Sequence, residues 1–475
     1  MRGSTFGYIA AISLAASAGV ANAQIAVRNQ GYVPFSDAPI NYRSNDLHDP
    51  VTRLQQQLES GKVKLTYEPE HGYLRSVLQL LQVPADSQTL VFSKTSFQYP
   101  KISPEHPRAL YFNDDVYVGS VHEGKAIEIV SFDPMQGAIF FLLDENKAEH
   151  PGFQRAELDC TQCHIAAGTR GIPGVLLRSV YPTSSGTLAT GTRSFITDQE
   201  SPWVERWGGW YVTGDLAGGT HMGNATVGSP QASADTPRAP TAVSMPVAGS
   251  PLAPTSASTA GSPPTTAPNS LRTLPPAFTP AAYLSPGSDV VAHLVLAHQT
   301  QMHNLITLTN YKTRLALYSQ SSPTQFQRPA EQLLRYLLFS NEASLPDGAQ
   351  EPVGATSPFA KEFAARGPRD SKGRSLRDFD LRTRIFRYPC SYLIYSESFD
   401  ALPDPAKEYV YHRLLEVLSG QDSSPDFARL SAADRRDILE ILLDTKSNLP
   451  PEWRDYAASH QLQLAAAPAS SSHTR

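Results

Sequence analysis

The segment Cys160–His164 combines two thiols and an imidazole at a spacing that allows specific chemistry. It reads C-T-Q-C-H, so the thiols lie three positions apart and the histidine follows the second cysteine directly. Each thiol can form a thioether to one edge of a porphyrin, and the adjacent imidazole can bind the iron. The motif predicts one covalent haem c, with Cys160 and Cys163 as attachment sites and His164 as proximal iron ligand.

Functions other than haem attachment agree less well with the sequence around Cys160 and Cys163. The chain has 3 cysteines, which excludes a zinc site made of four thiolates. A thioredoxin-like redox pair is a weaker interpretation, because His164 and the Gly/Pro-rich sequence after it do not resemble a strand-to-helix redox turn. The third cysteine, Cys390, lies among aromatic residues and is expected to be an inert buried thiol.

Residues 1–23 have the pattern of a cleavable export signal. Arg2 precedes an uncharged apolar stretch, 8–20, which ends in the small-x-small pattern Ala21–Ala23. The stretch is too short to span a membrane, which takes about 20 apolar residues, and no later segment is of that kind. We therefore expect a periplasmic mature chain with no membrane span. Bacterial c-type haems are attached in that compartment, so this signal and the C-x-x-C-H motif agree.

Composition limits the kinds of partner. The net charge is −5 for 475 residues, which gives no reason to expect nucleic acid or an anionic membrane as a partner. A haem protein of this kind would instead exchange electrons with a redox partner protein. The sequence does not indicate the oligomeric state.

The chain divides into regions of different composition. Short β-branched or aromatic runs separated by turn signals fill the later part of 24–145 and predict an antiparallel meander. The haem-binding segment, 146–225, is rich in Gly, Pro, Ser and Thr, and we expect its loops to fold around the cofactor. Residues 226–286 are rich in Pro, Ala, Ser and Thr, and we expect them to be a disordered linker. We expect residues 287–464 to be mainly helical and 465–475 to be a disordered tail.

The expected fold class is therefore α+β. A strand-rich N-terminal part precedes a loop-rich haem-binding segment and a mainly helical C-terminal part. This organisation differs from a compact all-α cytochrome c, because short helices do not surround the motif.

Residues near the motif are candidates for the haem surroundings. A proximal histidine needs an acceptor for its second ring nitrogen, and Pro173 in the loop 171–174 is the candidate for the residue that supplies this carbonyl. Trp207 and Trp210 lie in a tryptophan-rich stretch after the motif. Large rings pack well on a porphyrin, so we expect both to form a wall of the haem pocket.

The sixth iron ligand is less defined. Met222 is the first candidate, because it follows the motif at a spacing similar to that in small cytochromes c and lies among glycines. His221 competes directly. His298 and His303, on a long helix predicted over 289–317, are two further candidates.

Five stretches of the chain carry a resemblance to known proteins, namely 108–114, 160–174, 206–212, 221–224 and 378–384. They resemble a group of large bacterial periplasmic monohaem cytochrome proteins, mostly without an assigned function. The resemblance implies a covalent haem and a redox role, but no substrate. The first interpretation is a carrier of single electrons. The second is a haem-dependent oxidoreductase of the peroxidase or oxidase type with an open distal site, and the third is a haem-based sensor or docking subunit.

Overall fold

A computed structural model describes residues 33–228, 282–346 and 351–462. The expected export signal, most of the expected linker and the expected tail lie outside these residues. An antiparallel sheet forms much of the N-terminal half and helices form most of the C-terminal half, which confirms the α+β prediction.

The N-terminal half is built around a sheet of seven strands in the order β6-β5-β4-β3-β2-β1-β9. All its neighbouring strands are antiparallel, and β1 to β5 form the predicted meander. Strands β6 and β9 come from the segment 146–225 and extend the sheet at its two edges, where free backbone groups find partners. β7 pairs with β8 separately. The strands are β1 (Thr89–Val91), β2 (Arg108–Phe112), β3 (Val116–Ser120), β4 (Ala126–Asp133), β5 (Gly137–Asp144), β6 (Gln154–Arg155), β7 (Arg178–Ser179), β8 (Phe195–Ile196) and β9 (Trp210–Tyr211).

The helices occur at three places along the chain. Two precede the sheet, a short one carries the Cys160–His164 motif, and the remainder follow residue 289. The helices are α1 (Pro50–Glu59), α2 (Leu74–Leu80), α3 (Glu157–His164), α4 (Val290–Tyr318), α5 (Thr324–Leu337), α6 (Pro358–Ala365), α7 (Glu397–Asp400), α8 (Asp404–Leu418), α9 (Ala432–Thr445) and α10 (Pro451–Ser459).

Side chains alternate between the two faces of the sheet, as the period of two along a strand requires. On one face, residues such as Val118 and Ile129 join an apolar cluster with Val51 of α1 and Val77 of α2. The opposite face packs in part against α4 and leaves a cleft beside α3. The alternation thus decides which strand residues can reach the candidate site.

Helix α4 is the central element of the C-terminal half. Asp289 caps it, because its carboxylate accepts hydrogen bonds from the backbone N–H groups of Val291 and Ala292. The sequence predicted an amphipathic helix with nearly these bounds, but the observed helix is buried on nearly every side through its first six turns. It lies between the sheet and the neighbouring helices, so even its polar residues must find partners inside the protein.

In the three described ranges, no helix is both long enough and apolar enough to cross a membrane.

Candidate haem-binding site

Helix α3 presents the motif at its C-terminal end. Cys160 is half-buried and Cys163 is exposed, and neither forms a disulfide. Cysteines three apart share one side of a helix. Both cysteines and His164 line a single cleft, so the two attachment sites and the candidate iron ligand reach the same space.

The ring of His164 is held from one side by Gly174. Its Nδ1–H donates to the carbonyl of Gly174 at 2.8 Å, and the N–H of Gly174 donates to the carbonyl of His164 at 3.0 Å. This pairing leaves Nε2 as the ring nitrogen available to a metal. Burial lowers the pKa of His164 while the bond to Gly174 raises it, and the net shift is downward, which favours the neutral imidazole that iron requires.

The acceptor for His164 is one residue further along the loop than expected. The sequence suggested Pro173, and the structure has the carbonyl of Gly174 in this role. The residue next to the predicted one therefore supplies the carbonyl, within the same loop 171–174.

Helix α4 contacts the same loop. The side-chain Oδ1 of Asn304 accepts from the N–H of Val175 at 3.1 Å, and its Nδ2 donates to the carbonyl of Val175 at 2.7 Å. Gly174 must lack a side chain here, because a Cβ would overlap Asn304 Oδ1. Asn304 was not predicted from the sequence, since nothing near it in the chain links it to a loop 129 positions away.

The cleft is mainly apolar and encloses about 930 Å³, including the part that is open to solvent. The cavity proper has a volume of about 160 Å³. The ring of Phe140 lies 4.9 Å from the imidazole of His164, measured between ring centroids. Leu296 and Thr300 of α4 close one side. The floor is a row of neighbours across β2 to β5, namely Leu110, Gly119, Glu128 and Leu142.

One ion pair, Arg108 with Glu128, lies in this apolar floor. Glu128 Oε1 also accepts from Ser96 Oγ at 2.7 Å and from Gln98 Nε2 at 2.9 Å. The guanidinium reaches Glu128 across Gly119, where any Cβ would overlap it. Arg108 Nε is buried and has no hydrogen-bond partner in the structure.

This ion pair was not predicted from the sequence. The alternation along β2 places Arg108 on the same face as Leu110, which was a usable signal. The position of Glu128 depends on the register of β2, β3 and β4, which the sequence does not state.

The residues fit a covalently attached haem. Two cysteines that form no disulfide and a neutral imidazole with one uncommitted nitrogen open onto a mainly apolar cleft. The unpaired Nε of Arg108 is a donor that suits a carboxylate such as a haem propionate. Within the described ranges, no group of three or more His, Cys, Asp or Glu side chains is arranged to hold a metal ion.

The tryptophans expected to form a wall of the haem pocket lie outside the cleft. The first two candidates for the sixth iron ligand lie outside it as well. Trp207 and Trp210 pack against the imidazole of His293, with ring centroids 5.7 and 5.5 Å apart. Met222 is buried beside them, and its Sδ accepts from Ser179 Oγ at 3.5 Å. His221 contacts the ring of Trp207 at 5.2 Å.

None of these four candidate residues lines the cleft. The reason is that β9 pairs with β1 at the edge of the sheet, which carries the 203–224 segment away from the floor on β2 to β5.

The histidines of α4 are also outside the cleft lining. His298 has both nitrogens engaged, Nδ1 with Gln199 Oε1 at 2.6 Å and Nε2 with Ser391 Oγ at 2.7 Å. His303 packs against Phe132, with ring centroids 3.9 Å apart. Burial lowers the pKa of both His298 and His303 to about 3, so both are neutral. Among the described residues that line the cleft, His164 is the only histidine, and no methionine is present.

No family model, curated protein or solved structure matches this chain.

Proposed function

We propose that this chain is an exported, periplasmic c-type cytochrome that carries one haem c and transfers single electrons to or from a redox partner protein. Cys160 and Cys163 would hold the haem through thioethers, and His164 would bind the iron. The observation that carries the proposal is the arrangement of His164: Nδ1 is committed to Gly174, while the ring lines an apolar cleft together with both thiols.

A bound haem supplies a one-electron iron couple. The residues of the chain supply its surroundings. Apolar side chains on the sheet face and on α4 line the cleft, and Gly174 orients the imidazole of His164. The exposure of Cys163 supports electron exchange with a partner at this edge of the cleft.

Covalent attachment is the direct test. The chain is expressed with a haem c maturation apparatus, denatured by heat in SDS, and stained in the gel for haem peroxidatic activity. We expect the wild type to stain and the double variant Cys160→Ala/Cys163→Ala to lose the stain. Cys390→Ala is the matched control and should stain like the wild type, because that thiol is buried away from the cleft. An unstained wild type refutes the proposal.

A second candidate function is a haem enzyme with an open sixth position. It is favoured by the cleft lining, in which the described residues include no methionine and no histidine apart from His164. Absorption spectra distinguish the two candidates. A six-coordinate low-spin spectrum supports the carrier, whereas a high-spin ferric spectrum and rapid reaction with peroxide support the enzyme.

A further inference from the structure

Hydrogen bonds run from both ends of the peptide group that joins Gly174 to Val175. At one end, the carbonyl oxygen of Gly174 accepts from His164 Nδ1–H at 2.8 Å. At the opposite end, the N–H of Val175 donates to Asn304 Oδ1 at 3.1 Å. Two hydrogen bonds and one peptide group therefore connect the candidate proximal imidazole to the side chain of Asn304.

The side chain of Asn304 can take only one orientation here. Its Nδ2 donates to the carbonyl of Val175 at 2.7 Å, so its Oδ1 must be the atom that faces the N–H. The residue is fully buried, with 0% of its surface exposed, and water does not compete for these bonds. Gly174 can lie close to Asn304 Oδ1 because it has no side chain. The amide therefore defines both the position of the peptide and the direction of its dipole.

We propose that Asn304 is a positioning residue for the proximal histidine: through the 174–175 peptide it holds and polarises the carbonyl that accepts from His164, and it thereby sets the reduction equilibrium of the haem iron. The inference rests on the proposed function. Bonds in such a chain strengthen one another by roughly 10–30% each. A stronger acceptor makes a ligating imidazole more basic, which stabilises ferric over ferrous iron.

Gln301, on the same helix, is an example of a residue with a structural role only. Gln301 Nε2 donates to the carbonyl of Gly168 at 2.9 Å, so Gln301 also ties α4 to the loop after the motif. Its partner is not part of the peptide that His164 contacts. Gln301→Ala therefore removes a comparable bond without touching the connection to the imidazole, and it is the matched control.

The test compares haem-loaded wild type, Asn304→Ala, Asn304→Asp and Gln301→Ala. Potentiometric titration gives the reduction equilibrium, and NMR of the ferric proteins gives the exchange rate of the His164 Nδ1 proton. We expect Asn304→Ala to shift the equilibrium toward ferrous iron by about threefold to tenfold, or about 28–59 mV at 59 mV per tenfold, and to speed the exchange. Asn304→Asp keeps the acceptor, so its equilibrium should stay at the wild-type value or move toward ferric iron. Gln301→Ala should change it less than about twofold.

The outcomes separate the two proposals. A wild type without covalent haem refutes the proposed function before Asn304 is tested. With haem present, the inference is wrong if Asn304→Ala matches the wild type, if Gln301→Ala shifts the equilibrium as far, or if Asn304→Asp moves toward ferrous iron. If Asn304→Ala does not accumulate as folded protein, Asn304→Asp decides alone: a protected Nδ1 proton with an unchanged or more ferric equilibrium supports the inference, and any different result overturns it.

Discussion

Removing the carboxylate of Glu128 should destabilise the protein through the ion pair in the cleft floor. Glu128 pairs with Arg108, and their side chains are only 14% and 19% exposed. Breaking a fully buried pair from one side costs about 3–5 kcal/mol, because the remaining charge stays in a poorly solvating place. The partial exposure reduces this cost, so we expect Glu128→Ala to lower the free energy of unfolding by about 2–3 kcal/mol.

Urea unfolding of the haem-loaded protein, in a double-mutant cycle with Arg108→Ala, isolates the interaction between the two side chains. The coupling energy should be about 1–3 kcal/mol. Arg335 with Asp426 is the matched control, since these side chains are 44% and 42% exposed and should couple by less than about 1 kcal/mol. Equal coupling in the two pairs would refute the reasoning from burial.

The remaining predictions concern the loop, the sixth ligand and pH. Gly174→Ala should lower the free energy of unfolding by about 1–3 kcal/mol, because the new Cβ overlaps Asn304 Oδ1; an unchanged urea midpoint would contradict the observed close approach. Met222→Ala should leave the haem absorption spectrum unchanged, because Met222 does not line the cleft; a loss of low-spin character would return Met222 to the iron. Burial raises the pKa of Glu342 from 4.5 to about 7, so the folded protein binds this proton more tightly than the unfolded chain. The contribution of this group to the free energy of unfolding should therefore be fully present below about pH 4.5 and be lost as the pH rises to about 7. Glu342→Gln keeps an acceptor for the Ile385 N–H but cannot titrate. In this variant, the free energy of urea unfolding should change less with pH over that range.

Much of the secondary structure was predictable from local patterns. The β-branched runs between turn signals predicted the meander, and a helix was predicted over 289–317, close to the observed α4. These features depend on residues that are near one another in the chain, so the sequence contains what is needed to find them. The burial of α4 on nearly every side was not predictable, because it depends on which elements pack around it.

The candidate site, too, was only partly predictable from the sequence. The spacing of Cys160, Cys163 and His164 predicts covalent haem attachment from five consecutive residues, and this stays a prediction until attachment is measured. Met222 and Trp207 were predicted as haem contacts from their position in the sequence, but neither lines the cleft. The pairing of β9 with β1 carries their segment away from it.

By itself, the sequence determined the attachment motif, the α+β class and the approximate bounds of the long helix α4, since each is a property of local spacing. Only the tertiary structure decided which distant side chains meet. Strand register places Glu128 beside Arg108, and the packing of α4 brings Asn304 to the loop that holds His164. Hydrogen bonds and ion pairs act over a few ångströms in space, whatever the separation along the chain, so the surroundings of the motif appear only when the chain is folded.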